Sequence, residues 1–211
     1  MWTWSLNWGE ITPAIVIGSC PMTPSDLERI QTEAGTTAVL SIQHDDCHAY
    51  WEIDFPEMAA KGAQLGLSMA RCPIRDFDIE DMRRHLPRAI ALLAGLQACG
   101  HRTYVHCTAG LGRAPLTVLG YLTLVEGLDP EDAIQLILKG RPDAVPAWEA
   151  YYGCVEDLVA ANQDRIERLA YELHEQGVPA GAEAHWSQAQ ARVLRDVLLE
   201  TNRSGSRGRG H

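Results

Sequence analysis

The sequence predicts an α/β fold: a mostly parallel central sheet flanked by helices, followed by a C-terminal helical hairpin. Three observations predict it. Short apolar runs recur at Ala14–Ile17, Ala38–Ile42, Leu67–Pro73 and Thr103–His106, the pattern of strands buried on both faces. Helical periodicity fills the segments between them, and such alternation implies a parallel sheet with helical cover. Past about residue 160 the pattern turns purely helical.

In chain order, Thr23-Pro24-Ser25-Asp26 starts the first helix with a capping side chain and a proline at its first position, and Gly35 closes it. Phe55 to Leu65 is the second helix. Glu80 to Gly100 is the third, with Leu86, Ile90, Leu93 and Leu96 at helical spacing. Pro87 lies inside that run, where its missing N–H favours a kink. Leu116–Glu126 and Pro130–Lys139 follow, the second capped by Asp129, and Trp148–Ala161 is expected to close a first domain over 1–160. A hairpin is expected over 161–202. Ile166, Leu169, Ala170 and Leu173 mark its first helix, Gly177 and Pro179 break the pattern, and Trp186, Val193, Leu194, Val197 and Leu198 mark its second. So short a hairpin buries little by itself, so it is expected to dock on the first domain or on a protein partner. Residues 203–211, rich in glycine and arginine, are expected as a disordered tail.

Composition narrows the class. A 46% hydrophobic content is ample for a core, and a net charge of −10 argues against nucleic acid or an anionic membrane as partner. No apolar run is long enough to span a bilayer, and no basic-then-apolar leader opens the sequence. Six irregularly spaced cysteines fit neither a disulfide framework nor a zinc site. A cytoplasmic protein is the expectation.

The chemistry concentrates in one stretch. His106-Cys107 ends a strand run, Thr108-Ala109-Gly110-Leu111-Gly112 forms a small, flexible loop before Arg113, and the apolar helical run from Leu116 follows. Such a loop at a helix N-terminus turns its amides inward and cradles an oxyanion. The same field, with Arg113, favours the thiolate of Cys107, which is the nucleophile. Arg113 forks two N–H groups onto phosphate oxygens. Residues 108–113 are thus a candidate phosphate-binding loop, and no metal or cofactor is required.

His-Cys-x5-Arg on a strand–loop–helix resembles the cysteine-dependent phosphatases of the protein tyrosine and dual-specificity superfamily. In low-molecular-weight phosphatases and arsenate reductases the motif follows the first strand; here it follows the last, which favours the dual-specificity branch. Cys107 to Pro115, Arg75-Asp76-Phe77-Asp78 with Leu86-Pro87, Ile11-Thr12-Pro13 with Val16 to Ser19, and Tyr50 to Asp54 are similar to the plant starch-excess phosphatases and, more distantly, laforin. The resemblance covers roughly the first three-quarters of the chain. It implies a dual-specificity phosphatase fold, a phosphocysteine at Cys107, Asp76 as general acid, and aromatics Tyr50, Trp51 and Phe77 stacking on glucose rings. Asp78 is the weaker candidate for the acid and fits better as a helix cap. His106 is expected to orient the loop rather than act as a base. Ala114 stands where most of the superfamily has Ser or Thr, a departure the glucan enzymes share.

Other features depart from the glucan enzymes. Asp143-Ala144-Val145-Pro146 lacks an aromatic of their platform unless Trp148 replaces it, and no starch-binding module is expected after the first domain. Ser41 stands where the plastid enzyme has a redox-paired cysteine, leaving Cys47 or Cys72 as substitutes. Trp2, Trp4 and Trp8 are expected to pack the N-terminal arm. Arg168 to Leu173 with His185-Trp186 resembles a short bacterial helical domain of unknown function. The expected substrate is a phosphorylated α-glucan. The competing expectations are a phosphoprotein substrate, or a non-catalytic binding module.

Overall fold

The computed structural model describes residues 4–176 and 181–207. An antiparallel ribbon, β1 (Trp8–Thr12) and β2 (Ile15–Gly18), opens the fold and is followed by α1 (Pro24–Glu33). Strand β3 (Ala38–Gln43) leads through α2 (Asp45–Tyr50) and α3 (Phe55–Gln64) to β4 (Ser68–Ile74). The long α4 (Ile79–Ala98) crosses back to β5 (Thr103–His106). Then come α5 (Arg113–Leu124), α6 (Pro130–Gly140), α7 (Trp148–Ala161), α8 (Gln163–Glu175) and α9 (Ala182–Arg207).

The sheet order is β1-β2-β5-β3-β4, with β2, β5, β3 and β4 mutually parallel. The last strand in sequence is therefore the middle strand in space. Alternation along each strand divides the core between two faces. Ile15, Ile17, Leu40, Ile42 and Val105 join the cluster under α4, α5, α6 and α7. Val16, Val39 and Tyr104 join the cluster under α1 and α3, which Trp4 and Trp8 also cover. Those two tryptophans are packing residues of the N-terminal arm; Trp2 lies outside the described residues. The carboxyl ends of the parallel strands emerge along one edge, where open α/β sheets bind ligands.

Several elements differ from the sequence expectation. Strand β1 and helix α2 were not foreseen. In α2 the His44 side chain caps the Asp46 amide at 3.2 Å, and Asp45 and Asp46 occupy the first turn, too short a run to show periodicity. Helix α5 begins at Arg113 rather than Leu116, because Pro115 falls in the first turn, where an amide has no helical partner to lose. Helix α4 runs through Pro87 as one element.

Helices α8 and α9 pair through Ile166, Leu173, Ala189 and Val193. Leu198 of α9 is fully buried in the larger core cluster, with Leu199 packed against it. The pair is thus docked on the α4 side of the sheet. The break at Gly177 and Pro179 lies outside the described residues, and α9 continues through Arg207, into the stretch expected as a tail. Among the described residues no helix is long and apolar enough to cross a membrane.

This docking predicts shared stability. Leu198→Ala should lower the unfolding free energy by about 2–5 kcal/mol, read as one shifted urea transition by circular dichroism. A separate early transition with the main one unmoved would show the hairpin unfolding independently.

Candidate active site

Cys107 leaves the carboxyl end of β5 and is only 3% exposed. The loop after it is held by its carbonyls from outside. Thr108 O accepts from the Cys20 amide at 2.9 Å, and Leu111 O from the Val145 amide at 2.6 Å. Ala109 O and Gly110 O both accept from Arg141, at 2.6 Å and 3.3 Å. In a planar trans peptide the amide points opposite to the carbonyl, so outward carbonyls turn the amides of residues 109 to 112 inward. Among the described residues none of those amides donates to another protein group. Gly110 permits the turn: its φ is +72°, and a Cβ there would fall 2.3 Å from Gly18 O. Gly112 begins α5 with no side-chain cap, so the helix N-terminus adds its positive end to the ring.

Arg113 closes the site from below, its side chain wholly buried. Nη1 donates to Ile74 O at 2.8 Å and lies 3.4 Å from Cys47 Sγ. Nη2 donates to Asp76 Oδ2 at 2.7 Å and to Thr108 Oγ1 at 3.2 Å. Nε is buried without a partner among the described residues. Burial works against the charged guanidinium, but Cys107, Cys47 and Asp76 outweigh it and raise its pKa. The Nε–Nη2 edge can therefore take two oxygens of a phosphate once Asp76 yields Nη2.

The two aspartates separate cleanly. Asp78 caps α4, accepting from the Asp81 amide at 2.9 Å, whereas Asp76 reaches Arg113. The His106 ring is buried, with Nδ1 3.0 Å from Cys107 O. Burial pushes its pKa down to about 4, outweighing that bond, and the charges of His48 and Arg113 push the same way. A neutral imidazole donating Nδ1–H to the carbonyl fits a structural brace, and Ala114 is buried in the core.

A cavity of about 440 Å³ opens over Thr108 and Asp76, bounded by His44, Asp46, Cys47, Tyr50, Trp51, Arg75, Phe77 and Asp78. The three aromatics named from the sequence therefore come together. Tyr50 and Phe77 are 78% and 94% exposed. Trp51 is half-buried against the smaller core cluster, edge-on to Tyr50 at 5.0 Å. Both Tyr50 and Trp51 sit at the end of α2 rather than on an extended segment. Trp148 stacks on the exposed Tyr152 at 5.7 Å but does not line this cavity. Cys47 borders the cavity, whereas Cys72 is buried with Sγ 3.8 Å from His85 O, and Ser41 is wholly buried.

Sequence reasoning missed Arg141 and Gln43. Gln43 donates to Thr108 Oγ1 at 3.2 Å from the end of β3. Neither lies near the motif in sequence, so no local spacing reveals them.

The family model described as dual specificity phosphatase, catalytic domain, matches residues 26–151. The chain belongs to this family. A phosphoglucan phosphatase of Castanea sativa, DSP4, described as amyloplastic, is 29% identical over 79% of this chain and 44% of its own length. Laforin of Mus musculus is 32% identical over 78% of this chain and 51% of its own. The chain thus spans about half the length of these curated relatives. The crystal structure of PTPMT1 superposes with a TM-score of 0.56 at 20% identity, over 70% of this chain and 90% of that one. The dual-specificity phosphatase domain therefore shares its fold with that structure.

Two buried histidines near this domain's site predict an acid-sensitive fold. His106 and His48 both have pKa values pushed to about 4 from 6.5, chiefly by burial. Between those values the unfolded chain binds more protons than the native one. Stability is therefore full above about pH 6.5 and is lost as pH falls toward 4, at up to about 1.4 kcal/mol per pH unit for each histidine. Urea titrations at pH 7, 6 and 5 measure the slope, and His48→Asn should flatten it.

Proposed function

We propose that the chain is a cysteine-dependent phosphomonoesterase acting on a phosphorylated α-glucan, a glycogen- or starch-like polymer. The observation that carries the substrate class is Phe77. It follows Asp76 directly, is almost entirely in water, and has a φ of +58°. A phenylalanine in that conformation costs on the order of 1–3 kcal/mol and buries nothing in return, so a ligand is the natural recipient of its ring. Tyr50 lines the same cavity. Glucose offers an apolar C–H face to such rings while its hydroxyls stay wet. The phosphoglucan phosphatase among the relatives supports this reading.

In this mechanism a phosphate group takes the inward amides and the Nε–Nη2 edge of Arg113, and Asp76 is released. Cys107 Sγ attacks phosphorus in line, forming the S–P bond as the P–O bond to the sugar breaks. The Asp76 carboxyl gives its proton to the departing oxygen, then takes one from the water that cleaves the phosphocysteine. His106 holds the loop. The charge stabilisation comes from amides and a guanidinium fixed in advance. Cys107 has to stay reduced, so we place the protein in the cytoplasm. The docked hairpin remains a surface for a protein partner.

The test compares phosphate release from phosphorylated amylopectin and from phosphopeptides under reducing conditions. The glucan should have the larger kcat/KM, and Phe77→Ala should lower it by about tenfold, with a smaller effect on peptides. A peptide preference of orders of magnitude would make the chain a protein phosphatase instead. Cys107→Ser should abolish turnover of both while phosphate still binds; lost binding would point to damage of the loop.

A further inference from the structure

We infer that Arg141 is a positioning residue for the phosphate loop, its guanidinium holding the carbonyls of Ala109 and Gly110 outward so that the next two amides face the phosphate. This rests on the phosphatase reading above. Arg141 caps the carboxyl end of α6, its own amide bonded to Ile137 O at 2.7 Å. It is far from the motif in sequence and reaches the loop through Nη2 to Ala109 O at 2.6 Å and Nε to Gly110 O at 3.3 Å.

The support of Arg141 is itself fixed. The end of α6 lies directly against β1, where a Cβ on Gly140 would fall 2.0 Å from Glu10 O and one on Gly9 1.7 Å from Gly140 O. Backbone touches backbone there, so the arginine's anchor cannot drift without moving the sheet edge. Among the described residues Arg141 forms no ion pair. Its half-buried charge is committed to two consecutive carbonyls instead.

The geometry gives this a specific consequence. Each peptide of the loop could in principle rotate to put its oxygen, rather than its N–H, into the ring. The peptides on either side of Gly110 are the easiest to rotate, because glycine tolerates both signs of φ. A single inverted peptide would set a carbonyl oxygen against a phosphate oxygen. One planar fork across both carbonyls opposes both rotations at once, which a lysine, as a point charge, cannot do. The charge also lies close enough to Cys107 for the two to interact.

The test uses Arg141→Met and Arg141→Lys in the full chain, with p-nitrophenyl phosphate turnover, orthovanadate affinity and thermal unfolding as readouts. Loss of preset oxyanion donors typically costs about 10²-fold. The Met variant should therefore lose about that in kcat/KM, with vanadate affinity falling in parallel for the folded fraction. The Lys variant should recover only part of both. A folded Met variant that binds vanadate as the parent does would overturn the inference. So would a Lys variant with parental kinetics, which decides the matter if the Met variant does not fold. A parent protein that neither turns over the ester nor binds vanadate would instead remove the phosphatase reading, and this role with it.

Discussion

One fully buried guanidinium organises the functional end of this fold. The Arg113 side chain has no exposed surface, yet it binds the end of β4 through Ile74 O, the β4–α4 loop through Asp76, the phosphate loop through Thr108, and α2 through Cys47. A buried cation is costly unless paired and hydrogen-bonded. The four segments that reach it are those whose side chains must converge for the chemistry. Correct folding of the site and satisfaction of the charge are therefore the same event. Nε alone lacks a partner among the described residues, which marks where the remaining electrostatic demand points.

The sequence disclosed this arrangement unevenly, for physical reasons. Strand β5 and the loop after it were legible because nucleophile, glycines and arginine are contiguous and flanked by unmistakable apolar runs. Asp76 and Asp78 could be separated because a cap has a fixed relation to the helix it starts, and Asp78 stands at the start of α4. Helix α2 was opaque: it is short and polar, and its cap is a histidine rather than one of the favoured capping residues. Strand β1 lies at the sheet edge with one buried residue, Ile11, so no apolar run announces it. Arg141 was invisible for another reason. Its partners are backbone carbonyls on a distant segment, and backbone acceptors leave no trace in residue identity.

The two ends of the sheet are used differently. At the carboxyl edge of the parallel strands, polar groups are buried and the backbone is strained at Phe77 and Glu52. On the α4 face, away from that edge, α9 adds apolar cover, with Leu198 completing a cluster that already holds Leu86, Ile90 and Leu93. Strained, polar sites lower stability locally and are tolerated where packing elsewhere is ample. The hairpin fits that need without approaching the reacting groups.

Charge distribution bears on which phosphate ester can enter. The chain is strongly acidic, with a net charge of −10, and carboxylates at Asp46, Asp76 and Asp78 border the cavity beside the cation Arg75, with Arg113 buried behind Asp76. Arg75 is itself partly neutralised by Asp46 at 3.6 Å. Attraction for phosphate is therefore short-ranged, confined to the amide ring and Arg113, and the surroundings repel additional negative charge. A phosphopeptide with acidic flanks, or any ligand carrying several phosphates, would meet that repulsion at the mouth. A neutral polymer with a single ester would not, and the exposed rings of Tyr50 and Phe77 supply contact that does not depend on charge. Electrostatic exclusion and aromatic contact are thus independent physical supports for the proposed glucan substrate.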